Sequence, residues 1–247
     1  MSRWKAAAIH LSISAGIGLV SAALIFGLWY PPPYSHAAGA DELVLLLLGV
    51  DIVLGPLLTL VVFKSGKKSL RFDLGVIALL QAGAFTYGTS VVVRARPAFI
   101  VGAIDRFVMV SANDLDEKDL ADARKPEFQS SPWTGPRIVG VQLPKDPTER
   151  STLMFSGAEG KDVEKFPKYY IDYAEAAPAL LKRAKSLDDL RAKQPSAGAA
   201  IDTWLSKHQK SAGDIVWLPL TAPRASLTML LDHANGQPLG ALTIDPW

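Results

Sequence analysis

The chain has no cysteine and only four histidines. The first absence excludes disulfides, thiol catalysis and cysteine metal sites. Beyond residue 97 the only histidines are His208 and His233, and neither sits in an HExxH-type metal spacing. There is no GxSxG nucleophile elbow, no P-loop and no GxGxxG loop after a strand. The cluster Asp114, Asp116, Glu117 and Asp119 lacks the glycine and closing glutamate of an EF-hand, and reads as the solvated start of a helix. These residues lead to an expectation of no enzyme, no cofactor and no metal.

Charge is scarce at the start of the chain. Residues 1–96 hold eight Lys/Arg and four Asp/Glu, against eighteen and twenty in residues 97–247. The overall 49% hydrophobic and 20% charged content therefore averages two unlike parts, 1–96 in a bilayer and 97–247 outside it. The excess positive charge lies at the membrane edges, so a pI near 8.7 gives no argument for nucleic acid.

What is present is three long apolar runs, each near the roughly twenty residues that cross a bilayer. The first covers about 6–30, with Trp4 at one end and Trp29-Tyr30 at the other, where aromatic rings favour the interfaces. It exceeds the roughly 7–15 apolar residues of a signal peptide, so an uncleaved anchor is expected. The others cover about 43–63 and 74–93. Between spans one and two, PPPYSHAAGADE has no Lys or Arg, whereas KSGKKSLR carries Lys64, Lys67, Lys68 and Arg71 between spans two and three. Cationic loops stay in the cytoplasm, which puts the amino terminus inside and residues 97–247 outside, in the periplasm of a Gram-negative cell.

Span two contains an acid, Asp51, in LLLLGVDIVLGPLLTLVVF. Charge at mid-bilayer is costly, so such a side chain faces protein. By helix rise, Gln81 and Thr86 of span three bracket its depth, while His10 is roughly two turns too low. Two readings follow. Asp51 hydrogen-bonds Gln81, Thr86 or Tyr87 as structural glue, or Asp51, Gly55 and Pro56 form a polar notch for a partner's helix, because a proline frees a carbonyl nearby.

The outer part reads as α+β, an antiparallel sheet with helices on one side. Phe99–Val101, Ile104 and Phe107–Val110 read as one long strand bent at Gly102, followed by an acidic helix to about Arg124 and a short strand at 137–143. Residues 146–208 read as mostly helical. Three strand runs close the chain, the last two joined at Asn235-Gly236, a hairpin signal. In the run FPKYYIDY, Tyr169 and Tyr170 are candidates for a partner surface, with core packing as the alternative.

WYPPP, GVDIVLGPLLTL, KKSLRFDLGVIALLQ and ARPAFIVGAIDRFVMVSANDL together resemble the TfpX/TfpZ-type accessory proteins of type IV pilins. Gly49, Asp51, Gly55 and Pro56 match in span two, with Lys68, Ser69, Leu70, Arg71 and Asp73 at the inner rim. The resemblance implies an inner-membrane, chaperone-like protein that helps a cognate major pilin assemble, and no enzymatic reaction. Its expected partners are the lipid bilayer and the pilin, both its membrane helix and its periplasmic head. Gly49 and Gly55 on span two, with Gly16 and Gly18 on span one, would let that helix approach. A periplasmic ligand sensor is the alternative, although no cytoplasmic effector region accompanies it.

Overall fold

A computed structural model describes all 247 residues. Three helices are long and apolar enough to cross a membrane: α1 (Arg3–Trp29), α2 (Ala40–Val62) and α3 (Leu70–Ala95). They coincide with the three expected spans to within a few residues. Ser2 starts α1, its hydroxyl accepting the Lys5 amide at 3.2 Å. In the middle of α2, Val50–Leu54 winds as a π-helix immediately before Gly55-Pro56. Proline lacks an amide hydrogen and clashes with the carbonyl four residues earlier, so a wide turn at this point relieves the conflict.

The wide turn also changes which residues share a face. Asp51 and Thr59 are eight residues apart, an offset of about 80° in an unbroken α-helix; one residue absorbed into the π-turn removes about 100°. Thr59 meets His10 of α1, while Asp51 meets Gln81 of α3. α2 packs between its two neighbours, while α1 and α3 make no extensive contact with each other.

The outer domain is built on one eight-stranded sheet. Its strands are β1 (Pro97–Ala103), β2 (Arg106–Ser111), β3 (Arg137–Val141), β4 (Tyr170–Asp172), β5 (Lys185–Ser186), β6 (Ile215–Thr221), β7 (Leu227–Asp232) and β8 (Pro238–Leu242). The order is β4-β3-β1-β2-β6-β7-β8, with β5 beside β6. The expected class, membrane helices plus an α+β domain, holds. Five pairings are antiparallel, but β1 with β3 and β2 with β6 are parallel, so the sheet is mixed. The long strand expected at 99–110 is instead a tight hairpin. It turns at Ile104, where φ is +58°, and Asp105, whose amide donates to the Ala103 carbonyl at 2.7 Å.

Helices lie on both faces of this sheet, not on one, because neighbouring residues of its central strands are apolar in both directions. On the first face Ile100, Phe107, Leu218 and Met229 meet α5 (Tyr173–Leu181). On the second, Trp217, Leu230 and Ile215 meet α6 (Leu187–Lys193) and α7 (Gly198–His208). Each such side chain contributes about 1.5–3 kcal/mol on burial. α4 (Pro147–Ala158) touches the sheet mainly through Leu153, which packs with Ala103 and Tyr169. Close approach of α5 depends on Gly140 of β3: a Cβ there would lie 2.2 Å from that of Ala176. The β7–β8 hairpin turns at Gly236, φ +72°, as the Asn235-Gly236 signal indicates.

The connection between α1 and α2 is folded into the outer domain. Ala37 is fully buried in the first-face core, Tyr34 and Ala38 pack against it, and the Arg224 amide donates to the Ala37 carbonyl at 2.9 Å. Arg224 also pairs with Glu42 at 2.8 Å. A second seam forms where α3 ends: the Arg96 guanidinium donates to the Pro132 and Ser131 carbonyls and lies 4.7 Å over the Trp133 ring.

Candidate functional site: a polar cavity among the membrane helices

The divergence of α1 from α3 leaves a cavity of about 290 Å³ floored by α2. α1 supplies His10, Ser14 and Gly18; α2 supplies Asp51; α3 supplies Gln81 and Phe85. Small residues on the walls make the room, and four polar side chains, His10, Ser14, Asp51 and Gln81, line a space otherwise apolar. A second, apolar hollow of about 370 Å³ lies between the outward halves of α2 and α3, and Asp51 and Phe85 border both.

Asp51 has one side-chain hydrogen-bond partner, Gln81. The Gln81 amide Nε2 donates to the Asp51 carboxylate Oδ1 and to its backbone carbonyl, both at a long 3.4 Å. Thr86 and Tyr87, the other candidate partners, do not reach it: the Thr86 hydroxyl donates to the Ala82 carbonyl, and Tyr87 is exposed. The carboxylate thus keeps acceptor capacity directed at the cavity.

His10 was not among the candidate residues, yet it shares the cavity. Its Nδ1 lies 2.6 Å from the Thr59 hydroxyl oxygen. The arithmetic that separates His10 from Asp51 sets it level with Thr59, about 12 Å further along α2. That was the signal available in the sequence, in the threonine and not the aspartate.

The glycines divide. A Cβ on Gly55 would fall 2.2 Å from Gln81 Nε2, and one on Gly18 would fall 3.3 Å from the Ile52 side chain, so these two set helix spacing. Gly16 and Gly49 face open space. Pro56 is buried beside Gly55. At the inner rim Lys67 pairs with Asp73 at 2.6 Å and the Ser69 hydroxyl donates to the same carboxylate, while Lys68 and Arg71 are exposed.

Tyr169 and Tyr170 are core residues, not a surface, with 2% and 1% exposure. The Tyr169 hydroxyl donates to Glu149 at 2.8 Å and that of Tyr170 donates to the Glu164 carbonyl. Phe99, Phe128 and Tyr170 pack edge to face. Their polar tips are satisfied inside the domain, which leaves the membrane cavity as the site the candidates converge on.

Sequence comparison bears on this arrangement. A fimbrial assembly protein of serogroup I from Dichelobacter nodosus is 30% identical over 247 residues, covering 98% of this chain and 95% of its own. The chain belongs to the fimbrial assembly protein family. The serogroup E1 fimbrial assembly protein of the same organism matches at the same identity and coverage. A third family member, from serogroups C1 and C2, is 34% identical over 121 residues, 92% of its length. The family model described as Fimbrial assembly protein FimB matches residues 1–39, which include α1 and the connection docked on the outer domain. No solved structure matches the chain. The full-length relatives thus span both the membrane helices and the sheet domain.

Proposed function

We propose that this protein serves fimbrial assembly as an inner-membrane accessory protein of the TfpX/TfpZ kind, acting on a cognate major type IV pilin without catalysing a reaction. Its amino terminus lies in the cytoplasm and residues 97–247 lie in the periplasm. The pilin's apolar helix enters between α1 and α3, and the outer domain attends to its head. The observation that carries this reading is the cavity at mid-helix, in which the Asp51 carboxylate holds one long bond and faces space. In lipid the hydrophobic drive between helices is absent, so close packing and polar hydrogen bonds do the selecting. A helix with a hydrogen-bond donor at that depth gains a partner that lipid cannot offer.

The test is replacement of Asp51 in the parent bacterium. Asp51→Ala is expected to abolish or sharply reduce surface fimbriae at unchanged protein level, with Asp51→Asn retaining part of the function through its remaining acceptor oxygen. Normal fimbriation in both variants overturns the reading. A reporter at Trp247 must be active outside the cytoplasm; activity inside overturns the orientation.

A further inference from the structure

The edge of the sheet at β8 has an unusual setting. β8 pairs with β7 on one side only, and no other residue of the chain hydrogen-bonds to its backbone. Edge strands with free amides and carbonyls are templates for another strand. Here a groove of about 740 Å³ runs along that edge, and four consecutive residues, Leu239 to Leu242, line it. The register with β7 shifts between Leu230 and Leu231 and leaves Leu239 as a bulge residue, so Leu239 and its neighbours together line the hollow between the β8 edge and the helix opposite.

The opposite wall is α7, presenting Ala200, Thr203 and Lys207 in one stripe beside its buried Ile201 and Leu205. The small side chains leave room for a backbone. Lys207 and His208 are the groove's titratable groups, and no carboxylate lines it. Pro32 and Pro33 close one end, which sets the groove beside the point where α1 leaves the membrane.

We infer that this groove receives an extended segment of the fimbrial subunit's head, added as a further strand on β8, with an acidic side chain of that segment meeting Lys207. Backbone hydrogen bonds supply affinity in such strand addition, and flanking side chains supply selection. The inference rests on the subunit being the partner, and it adds a second, extracytoplasmic point of attachment. A subunit held by its helix in the same membrane meets the groove at its membrane-proximal end.

The full chain is expressed with the fimbrial subunit and a photocrosslinking amino acid at Thr203, or separately at Ser14 in the membrane cavity. The expected result is a subunit adduct from Thr203 mapping to one extended peptide, with slowed hydrogen exchange over Gly240–Leu242 only when the subunit is present. Lys207→Glu, at an exposed position that leaves the fold intact, should weaken adduct formation about tenfold, the loss expected for one charge-assisted contact. An adduct from Ser14 but none from Thr203 overturns the groove and leaves the membrane reading standing. Adducts from neither overturn both. An adduct from Thr203 to a second copy of this chain, or to any other polypeptide, overturns the choice of occupant.

Discussion

Single atoms decide much of this structure. A Cβ at Gly140 would meet Ala176 at 2.2 Å, so α5 can lie on β3 only because that side chain is missing. Gly140→Val should destabilise the outer domain by about 3 kcal/mol, the upper range for overpacking a filled core. Chemical denaturation of the full chain in detergent measures it; an unchanged midpoint would show that α5 moves aside freely. Glu149 shows how the same domain meets acid. The Tyr169 hydroxyl, then Lys168, hold its carboxyl below the usual carboxylate range, and hydrogen bonds from Ser211 and from the Ala234 amide do the same for Asp214 and Asp232. A lowered folded value stabilises above the unfolded value, about 4, and is lost as pH falls through the folded one. The melting temperature should therefore drop on acidification below about pH 4. In Glu149→Gln the drop should be smaller and the neutral-pH melting temperature lower. If the acid drop is the same in the variant, Glu149 has no part in it.

At the scale of elements, legibility followed periodicity. The three long helices, the β7–β8 hairpin and α7 were all readable, because a sustained apolar run, an Asn-Gly pair and a one-face stripe are local signals. The β1–β2 hairpin was not: its turn contains no glycine or proline, and Ile104 takes a left-handed conformation that its type rarely adopts. Beyond the bend expected at Gly102, the charged pair Asp105-Arg106, which forms an ion pair at 3.0 Å, marked a break in that apolar run. The parallel pairings β1–β3 and β2–β6 join segments far apart in sequence and leave no local trace. In α2 the presence of Gly55-Pro56 announced a disturbance but not its form, a wide turn that resets the direction of Thr59 relative to Asp51. Pro56→Ala removes the cause. With cysteines placed at His10 and Thr59 in this cysteine-free chain, disulfide yield should fall when Pro56→Ala is added, as α2 rewinds and turns Thr59 away. An unchanged yield would mean the π-turn persists without the proline.

At the scale of the whole molecule, the site was half legible. Asp51 and Gln81 could be matched by depth, but the cavity needs α1 to diverge from α3, and that angle is set by tertiary packing. Nor did composition reveal that residues 34–38, on the membrane side of the apparent boundary at 96, complete the outer core. Ala37→Asp places an unpaired charge there and should cost about 2–4 kcal/mol, read as a fall in the outer domain's thermal transition in detergent. A transition matching the parent would show that the connection merely rests on the sheet. The plug has a temporal meaning as well. Residues 34–38 leave the ribosome long before β6, β7 and β8, yet they sit in one core with them. The sheet must then wait to be finished on a lid already threaded through the bilayer, so a soluble fragment starting at Pro97 would carry a vacancy where Ala37 belongs. Maturation of the sheet domain is thereby tied to the first two helices being in place.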